Sequence, residues 1–364
     1  MRIHEFNNIL GMINSQDETN FKLGLLLLKG YPKEFESYFG VSVAIGGKLI
    51  SFLRSDSISV FGLEFEKEQW DVNMPLSDIM EIHIHDKCDT SSWSILHHLP
   101  SLKILKLFDI PKYLKKLVLF QQLEHLVLCG RDLEKYPESI NTLKKLKKLE
   151  IKTTSLEEIP DGIGNLVNLK ILEISNSYIE KVPKTIRNLT KLETLFLMNN
   201  KLKSLPDIFE NKINLKNSYL SRNRLKMLHK GDFFKNLHHL DVSRNELKKL
   251  PNDWYYLKKL RSLNLTFNHI EKLPSKIGNF SNLREVHLGI NKIETLPSLT
   301  KLKKLRKLHI EKNRLKELSS SIGNLHELRE LTLNLNQLTM LPKAIFKLKK
   351  LKYLDIEYNK IELV

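Results

Sequence analysis

The chain has 364 residues, of which 41% are hydrophobic, and a formal net charge of +17 at pH 7. No stretch approaches the ~18 consecutive apolar residues of a membrane span, which excludes an ordinary transmembrane protein. The excess of Lys and Arg suggests nucleic acid or an anionic surface as a partner. The two cysteines, Cys88 and Cys129, lie too far apart in the sequence pattern to form a comfortable disulfide.

Residues 1–57 are predicted to form an N-terminal helical capping segment. Thr19 or Asn20 is a suitable N-cap for a helix through FKLGLLLLKG. The apolar run at 23–28 is too short and too far from the start for a signal peptide. The next residues, VFGLEF at 60–65, are interpreted as a degenerate extra strand within 58–66.

From Ile79 onward the chain repeats one frame, L-x-x-L-x-L-x-x-N-x-L-x-x-L-P, at intervals of 21 to 23 residues. The first residues of the frames, called position one, are Ile79, Leu102, Leu123, Leu146, Leu169, Leu192, Leu215, Leu237, Leu260, Leu283, Leu305, Leu328 and Leu351. Alternation in L-x-x-L-x-L predicts a strand with leucines on one face. Because one frame cannot bury its leucines alone, stacked frames are expected to share a continuous core.

These frames, with segments such as IPDGIGNLVN, resemble the leucine-rich-repeat family in the IP-x-x-IGNL form of bacterial proteins and animal cytosolic scaffolds. The resemblance implies an α/β repeat solenoid over residues 58–364, with about 13 repeats. It implies a curved horseshoe with a parallel β-sheet on the concave face and short helical or irregular returns on the convex face. It also implies a non-catalytic scaffold for protein–protein interaction.

Position nine carries a structural asparagine ladder through the last eight repeats. An amide both donates and accepts, so each asparagine can bond the turns of its own and a neighbouring repeat. The ladder consists of Asn200, Asn223, Asn245, Asn268, Asn291, Asn313, Asn336 and Asn359. The first five repeats lack it, which predicts a less regular N-terminal third. Ser218 in a leucine slot predicts a bulge or altered curvature near 210–235.

The concave face is the predicted partner-binding surface. Acidic residues outnumber basic ones at its solvent-facing positions, so the net positive charge lies elsewhere. Its apolar residues are Phe196, Met198, Tyr219, Phe267, Ile290, Leu335 and Tyr358. Clustered exposed aromatic and aliphatic side chains are typical anchors of an interface, although scattered ones are also common on ordinary surfaces.

Lysines crowd where each return re-enters a strand, and they are predicted to align as a basic edge. Its residues are Lys144, Lys145, Lys147, Lys258, Lys259, Lys303, Lys304, Lys349 and Lys350. The edge is either a solvated rim or a docking surface for an acidic protein or an anionic membrane. The latter makes an adaptor or effector the alternative function. Aromatic residues are not interleaved with these lysines, which disfavours nucleic acid.

Candidate chemistry is sparse. Two histidine groups, His83 with His85 and His287 with His309, have carboxylates nearby, but neither has a metal-ligand spacing motif. No phosphate-binding loop, metalloprotease helix or nucleophile elbow is present in the sequence. The sequence therefore predicts no catalytic residue, no metal and no cofactor. A recognition subunit of a larger enzyme system, acting in trans, remains a third class.

The absence of a signal peptide and of a disulfide predicts a cytoplasmic protein, with export that needs no cleaved signal as the alternative. The last frame stops at Val364 without a polar cap. Either Tyr358 and the final residues blunt this end, or it docks on another copy of the chain, which would give weak self-association through the C-terminal end. The identity of the protein partner is not encoded in these patterns.

Overall fold

A computed structural model describes residues 41–45, 48–51, 81–84, 102–108, 114–206, 214–228, 236–251, 254 and 257–362, with only the backbone described in the first three ranges. The chain forms two compact units. The first comprises Met1–Leu133 and Pro137–Glu150, and the second comprises Glu134–Tyr136 and Ile151–Val364.

Each described strand of the repeat region begins two residues after position one of its frame. The strands are Val41–Ile45 (β1), Lys48–Ser51 (β2), Glu81–Ile84 (β3), Ile104–Phe108 (β4), His125–Cys129 (β5), Lys148–Lys152 (β6), Ile171–Ser175 (β7), Thr194–Phe196 (β8), Asn217–Tyr219 (β9), His239–Asp241 (β10), Ser262–Asn264 (β11), Glu285–His287 (β12), Lys307–His309 (β13), Glu330–Thr332 (β14) and Tyr353–Asp355 (β15). In the first compact unit β3, β4 and β5 are parallel neighbours. In the second, β7 to β15 follow one another in chain order. The predicted parallel leucine-rich-repeat solenoid is confirmed.

The leucines of the frame form the core. Positions one, four, six and eleven are buried in almost every described repeat, for example Leu192, Leu195, Leu197 and Leu202. Residues at positions three and five alternate with them and lie on the opposite face, as the period of a strand requires. We call this opposite face, formed by positions three, five and seven, the open sheet face.

The returns are short 3₁₀ turns. They span Leu114–Leu119, Glu138–Thr142, Asp161–Asn165, Lys184–Asn188, Ser275–Asn279, Ser320–Asn324 and Lys343–Lys347. Pro160, like four equivalent prolines, occupies the N-cap, where a missing N–H leaves the sheet unaffected. Gly164 is required because a Cβ there would meet the Thr185 carbonyl oxygen at 2.7 Å. The backbones of these two successive returns therefore pack directly against each other.

The N-terminal segment differs from the helical expectation where it is described. Strand β1 pairs antiparallel with β2 and with β3. Gly46-Gly47 separates two apolar, β-branched runs, and a two-residue glycine connection is a typical hairpin signal. The described part of the segment is therefore strand rather than helix. The helix expected through FKLGLLLLKG and the extra strand at 58–66 lie outside the described residues.

Asparagine at position nine bonds to the backbone of its own and of the preceding repeat. The amide nitrogen of Asn223 donates to the Leu197 oxygen at 2.8 Å and to the Leu220 oxygen at 3.0 Å, while its Oδ1 accepts from the Leu202 N–H at 3.0 Å. The carbonyl at position six thus accepts hydrogen bonds from side-chain amides. Strands are three residues long in all eight asparagine repeats and five residues long in the four repeats before them.

Two expected irregularities do not occur in the described strands. Strands β4 to β7 lack the asparagine but are longer than the later ones, and β4 keeps full register with β5. Thr154 and Ser177 stand in for the amide, with their hydroxyl oxygens 2.7 Å apart. Ser218 is fully buried, yet β9 keeps register with β8 and β10. The predicted bulge is therefore wrong for the strand, and residues 207–213 and 229–235 lie outside the described ranges.

Candidate interaction surfaces of the sheet

Phe196 and Tyr219 form a stacked aromatic pair on the open sheet face. Both occupy position five, on β8 and β9, and they are direct partners across the two strands. Their ring centroids are 4.7 Å apart and the rings are 7° from parallel. This distance equals the spacing of neighbouring strands, so the sheet register itself produces the stack. Both side chains are half-buried, and Met198 lies two residues beyond Phe196 on the same face.

Carboxylates flank the aromatic pair on both sides. Glu173 on β7 is the register partner of Phe196, and Asp241 on β10 is the partner of Tyr219. Glu173 lies 3.2 Å from the Lys152 ammonium and accepts a hydrogen bond from the Ser175 hydroxyl. Asp241 accepts the backbone N–H of Ser243 at 2.9 Å. The surface therefore offers an aromatic platform bordered by negative charge.

The remaining apolar candidates share position eight, immediately after the strand. From Thr153 to Tyr358 all ten residues at this position have a left-handed backbone, with φ between 53° and 59°. Such a conformation costs a non-glycine residue ~1–2 kcal/mol, and β-branched residues such as Ile290 are the least suited to it. The backbone at position eight is therefore held by its neighbours and not by its own side chain.

The position-eight side chains are exposed although several are apolar. Phe267 is 46%, Leu335 39% and Tyr358 73% exposed, and Ile290 is half-buried. The Arg244 guanidinium carbon lies 5.2 Å from the Phe267 ring centre. Phe267 and Ile290 are in adjacent repeats, as are Leu335 and Tyr358, with Lys312 between the two pairs. The structure thus brings the candidates together as three small groups and not as one patch.

Lysines of the predicted basic edge are largely hydrogen-bonded to the preceding repeat. Lys145 donates to Gln122, Lys304 to Asn282 and Lys350 to Glu327, each bridging 22 or 23 residues. Further contacts join Lys144 to the Asn141 oxygen, Lys147 to Glu124, Lys259 to Asn236 and Lys303 to the Asn324 oxygen. Lys258 and Lys349 are exposed on the same edge. These contacts support a structural role for part of this edge.

His287 and His309 are register partners on β12 and β13, and their Nδ1 atoms are 3.0 Å apart. Burial first, and then the adjacent His309, lower the pKa of His287, while Glu285 and Glu311 act in the opposite direction. The His309 Nε2 lies 3.5 Å from Glu330. Within the described ranges, no three or more His, Cys, Asp or Glu side chains are grouped as a metal site. The side chains of His83 and His85 lie outside those ranges.

Known repeat families match most of the chain. The family described as Leucine-rich repeat region matches residues 82–217, and the one described as Leucine rich repeat matches 213–270, 258–315 and 326–364. A solved leucine-rich-repeat protein of Leptospira interrogans is 30% identical over 75% of this chain and 76% of its own, with a TM-score of 0.66. This chain belongs to the leucine-rich-repeat family.

Other solved leucine-rich-repeat structures share the fold at lower identity. An internalin, InlF, of Listeria monocytogenes is 22% identical over 79% of this chain and 83% of its own, with a TM-score of 0.54. The Toll–Spätzle complex of Drosophila gives 23% identity over 77% of this chain and 43% of its own, with a TM-score of 0.62. No curated protein sequence matches.

Leucine-rich-repeat proteins are typically non-enzymatic, and the fold widely serves as a protein-interaction scaffold. Among the residues that the structure covers, no helix has the length and apolar character needed to cross a membrane.

Proposed function

We propose that this leucine-rich-repeat protein is a non-catalytic scaffold that binds a protein partner across its open sheet face, with Phe196 and Tyr219 as the anchor. The stacked pair carries the proposal. Two aromatic rings held 4.7 Å apart by sheet register are rigid before binding, so a partner loses little conformational entropy in meeting them. Aromatic anchors of this kind dominate the binding energy of many interfaces.

The surroundings of the pair support a protein ligand. Glu173 and Asp241 border the rings and can meet basic groups of a partner, giving an apolar centre with a polar rim. The open sheet face of a repeat protein is also the surface that such proteins generally use. A protein of similar fold is part of the Toll–Spätzle complex.

The experiment is a quantitative pull-down with isotope labelling, comparing the parent with the double variant Phe196→Ala/Tyr219→Ala. A matched control, Met340→Ala/Phe346→Ala, removes two apolar side chains that are 68% and 78% exposed and do not belong to the open sheet face. We expect specific partners to be lost from the aromatic variant and kept by the control. Each partner is then produced in pure form and its affinity measured by calorimetry.

Thermal melts of both variants accompany the binding data, because both pairs lie at the surface and their removal should leave the fold intact. Partners that bind the aromatic variant as tightly as the parent would overturn this location of the site. Loss of the same partners from both variants would also contradict it.

A further inference from the structure

Position two of the frame carries a run of arginines along one edge of the sheet. The arginine column consists of Arg261, Arg284, Arg306 and Arg329, and Lys352 continues it. The backbone N–H of each residue after Arg261 donates to the carbonyl of the one before it, at 2.7 to 2.8 Å. The side chains therefore leave adjacent repeats in strict register, ~4.8 Å apart. All five side chains are exposed.

In earlier repeats, position two carries charges of both signs, and opposite charges form ion pairs between neighbouring repeats. Glu124 lies 2.6 Å from Lys147 and 3.9 Å from Lys103, and Glu193 lies 3.0 Å from Lys216. The geometry of this column therefore forms cross-strand ion pairs wherever the sequence supplies both signs. The same position holds only positive charge from Arg261 to Lys352.

This run of like charge is unfavourable for folding by itself. Like charges directly opposite each other across strands are destabilising. None of the four guanidinium groups lies within 4.0 Å of a carboxylate among the residues that the structure describes. The neighbouring Glu327 bonds to Lys350, and that hydrogen bond first, then the charges of Lys350, Arg306 and Arg329, lower the pKa of Glu327. The edge thus carries concentrated positive charge whose guanidinium groups have no direct carboxylate partner among the described residues.

The choice of arginine narrows the ligand to an oxyanion. A guanidinium presents a planar fork of N–H donors that matches carboxylate or phosphate in two parallel hydrogen bonds, which a lysine ammonium cannot do. Lysine is the commoner cation elsewhere on this edge, for example at Lys303, Lys304 and Lys349. Four consecutive forks in register therefore indicate a ligand with several oxyanions in a row.

The flanking residues favour a narrow polyanion. Glu285 and Glu330 stand at position three, directly beside the column, and a broad polyanion such as duplex nucleic acid would press against them. Position three offers Ser262 and Lys307 in the other arginine repeats and Tyr353 beside Lys352. One aromatic ring at the end of the column cannot stack a run of single-stranded bases. An extended polypeptide can follow the column without covering these carboxylates.

We propose that the arginine column binds an extended acidic segment of a protein partner. From Arg261 to Lys352 the column spans four strand intervals, ~19 Å, which matches ~6 residues of extended chain. Side chains on one face of such a chain recur every ~6.7 Å, whereas the arginines recur every ~4.8 Å. The long arginine side chains can bridge this difference in spacing. This second site lies on the strand edge and does not depend on the aromatic pair.

The test measures fluorescence anisotropy of a labelled octaglutamate peptide with the full chain, at about 20 mM and about 150 mM salt. The variant Arg284→Gln/Arg306→Gln is expected to weaken binding about tenfold at low salt, because two of the forks are lost. The control Lys170→Gln/Lys191→Gln removes the same charge from the same edge in earlier repeats, and it is expected to change binding less than about twofold. Arg284→Lys/Arg306→Lys, which keeps the charge, is expected to weaken binding several-fold.

Equal losses in the glutamine variant and the lysine control would show bulk charge attraction and overturn the proposal. Unchanged binding by Arg284→Lys/Arg306→Lys would remove the role of the guanidinium fork. An oligothymidylate of twelve nucleotides and vesicles rich in phosphatidylserine are tested in parallel. Tighter, arginine-dependent binding of either one than of the peptide would assign the column to nucleic acid or to membrane and reject the peptide.

Discussion

Asn268 shows how a single side chain fixes the turn of a repeat. Its amide nitrogen donates to the Val242 and Leu265 oxygens, both at 3.0 Å, and its Oδ1 accepts from the Leu247 N–H at 3.0 Å. All three of these hydrogen bonds are buried. The sequence predicts this role because asparagine recurs at position nine, and its amide can donate to two carbonyls and accept an N–H at the same time.

Asn268→Leu is expected to lower the free energy of unfolding by ~1–3 kcal/mol, because it leaves buried backbone groups unpaired. Urea denaturation followed by circular dichroism measures the change. Asn282→Leu is the control, since Asn282 also bonds the preceding repeat, through the Lys258 oxygen at 2.7 Å, but at an exposed edge. In this control the free energy of unfolding should fall by less than about 0.5 kcal/mol. Equal losses in the two variants would contradict this account of the ladder.

Ile290 occupies a left-handed backbone position for which a β-branched residue is poorly suited. Ile290→Asn is expected to raise the free energy of unfolding by about 1 kcal/mol, because asparagine tolerates this conformation and stands at the same position as Asn176 and Asn199. Leu335→Asn should gain less, since leucine is not β-branched. Denaturant midpoints compare the two variants, and a destabilised Ile290→Asn would show that burial of the isoleucine outweighs the backbone strain.

The lowered pKa of His287 makes stability depend on pH. Below about pH 6.5 the unfolded chain takes up a proton at this residue more readily than the folded chain, so the free energy of unfolding falls as the pH falls towards the lowered pKa of the folded state. His287→Asn should reduce the slope in this window, measured by urea midpoints at several pH values. His326→Asn, at the exposed edge, is the control. An unchanged slope in His287→Asn would contradict the assignment.

At the scale of the strand, the period of leucines predicts the position of every described strand from β3 to β15. The hairpin of β1 and β2 was missed because the nearby apolar run at 23–28 favours a helix, although Gly46-Gly47 carries the hairpin signal. Frame register also places Phe196 beside Tyr219. Their stacking and the left-handed turn at position eight depend on backbone geometry that residue types alone do not specify.

The alignment of charges belongs to this scale as well. Lysine density predicts a basic edge, but density does not show which side chains share a column. None of the four arginines is among the predicted edge residues, although the frame gives all of them the same position. These arginines are found by comparing the residues at one frame position across all repeats, and not by counting charges along the chain.

Arg306→Glu is expected to stabilise the protein by ~0.2–1 kcal/mol, because a carboxylate there can pair with Arg284 and Arg329 as Glu124 does with Lys147. Differential urea midpoints at low salt measure the effect, and the gain should shrink at high salt. The reciprocal control is Glu193→Lys, which breaks the pair with Lys216 and should destabilise by a similar amount. A destabilised Arg306→Glu would indicate that the column is already compensated.

At the scale of the whole chain, repeats contact mainly their sequence neighbours, so stability is approximately a sum of repeats and their interfaces. The frame intervals predict this organisation. The strands before β3 were less predictable, because they pair antiparallel and do not follow the repeat frame.

Deletion of residues 260–282 removes one full repeat and restores the frame at Leu283. We expect a folded protein with a lower urea midpoint and near-parent circular dichroism per residue, because the leucine columns realign. Deletion of residues 260–270 is the control. It leaves an interval between Leu237 and Leu283 that matches neither one repeat nor two, so stacking should be interrupted there and the urea midpoint should fall further. Similar spectra and midpoints for the two deletions would contradict a fold built from stacked frames.

The turn at position eight keeps one conformation whether it holds threonine, asparagine, arginine, phenylalanine, isoleucine, lysine, leucine or tyrosine. Gene copies can therefore diverge along this row, one residue at a time, with changes in folding energy of about 1 kcal/mol or less. Substitutions at position eight can therefore change ligand preference while the protein stays folded. For the same reason, the row is a natural place to randomise when a library of binders is built on this scaffold.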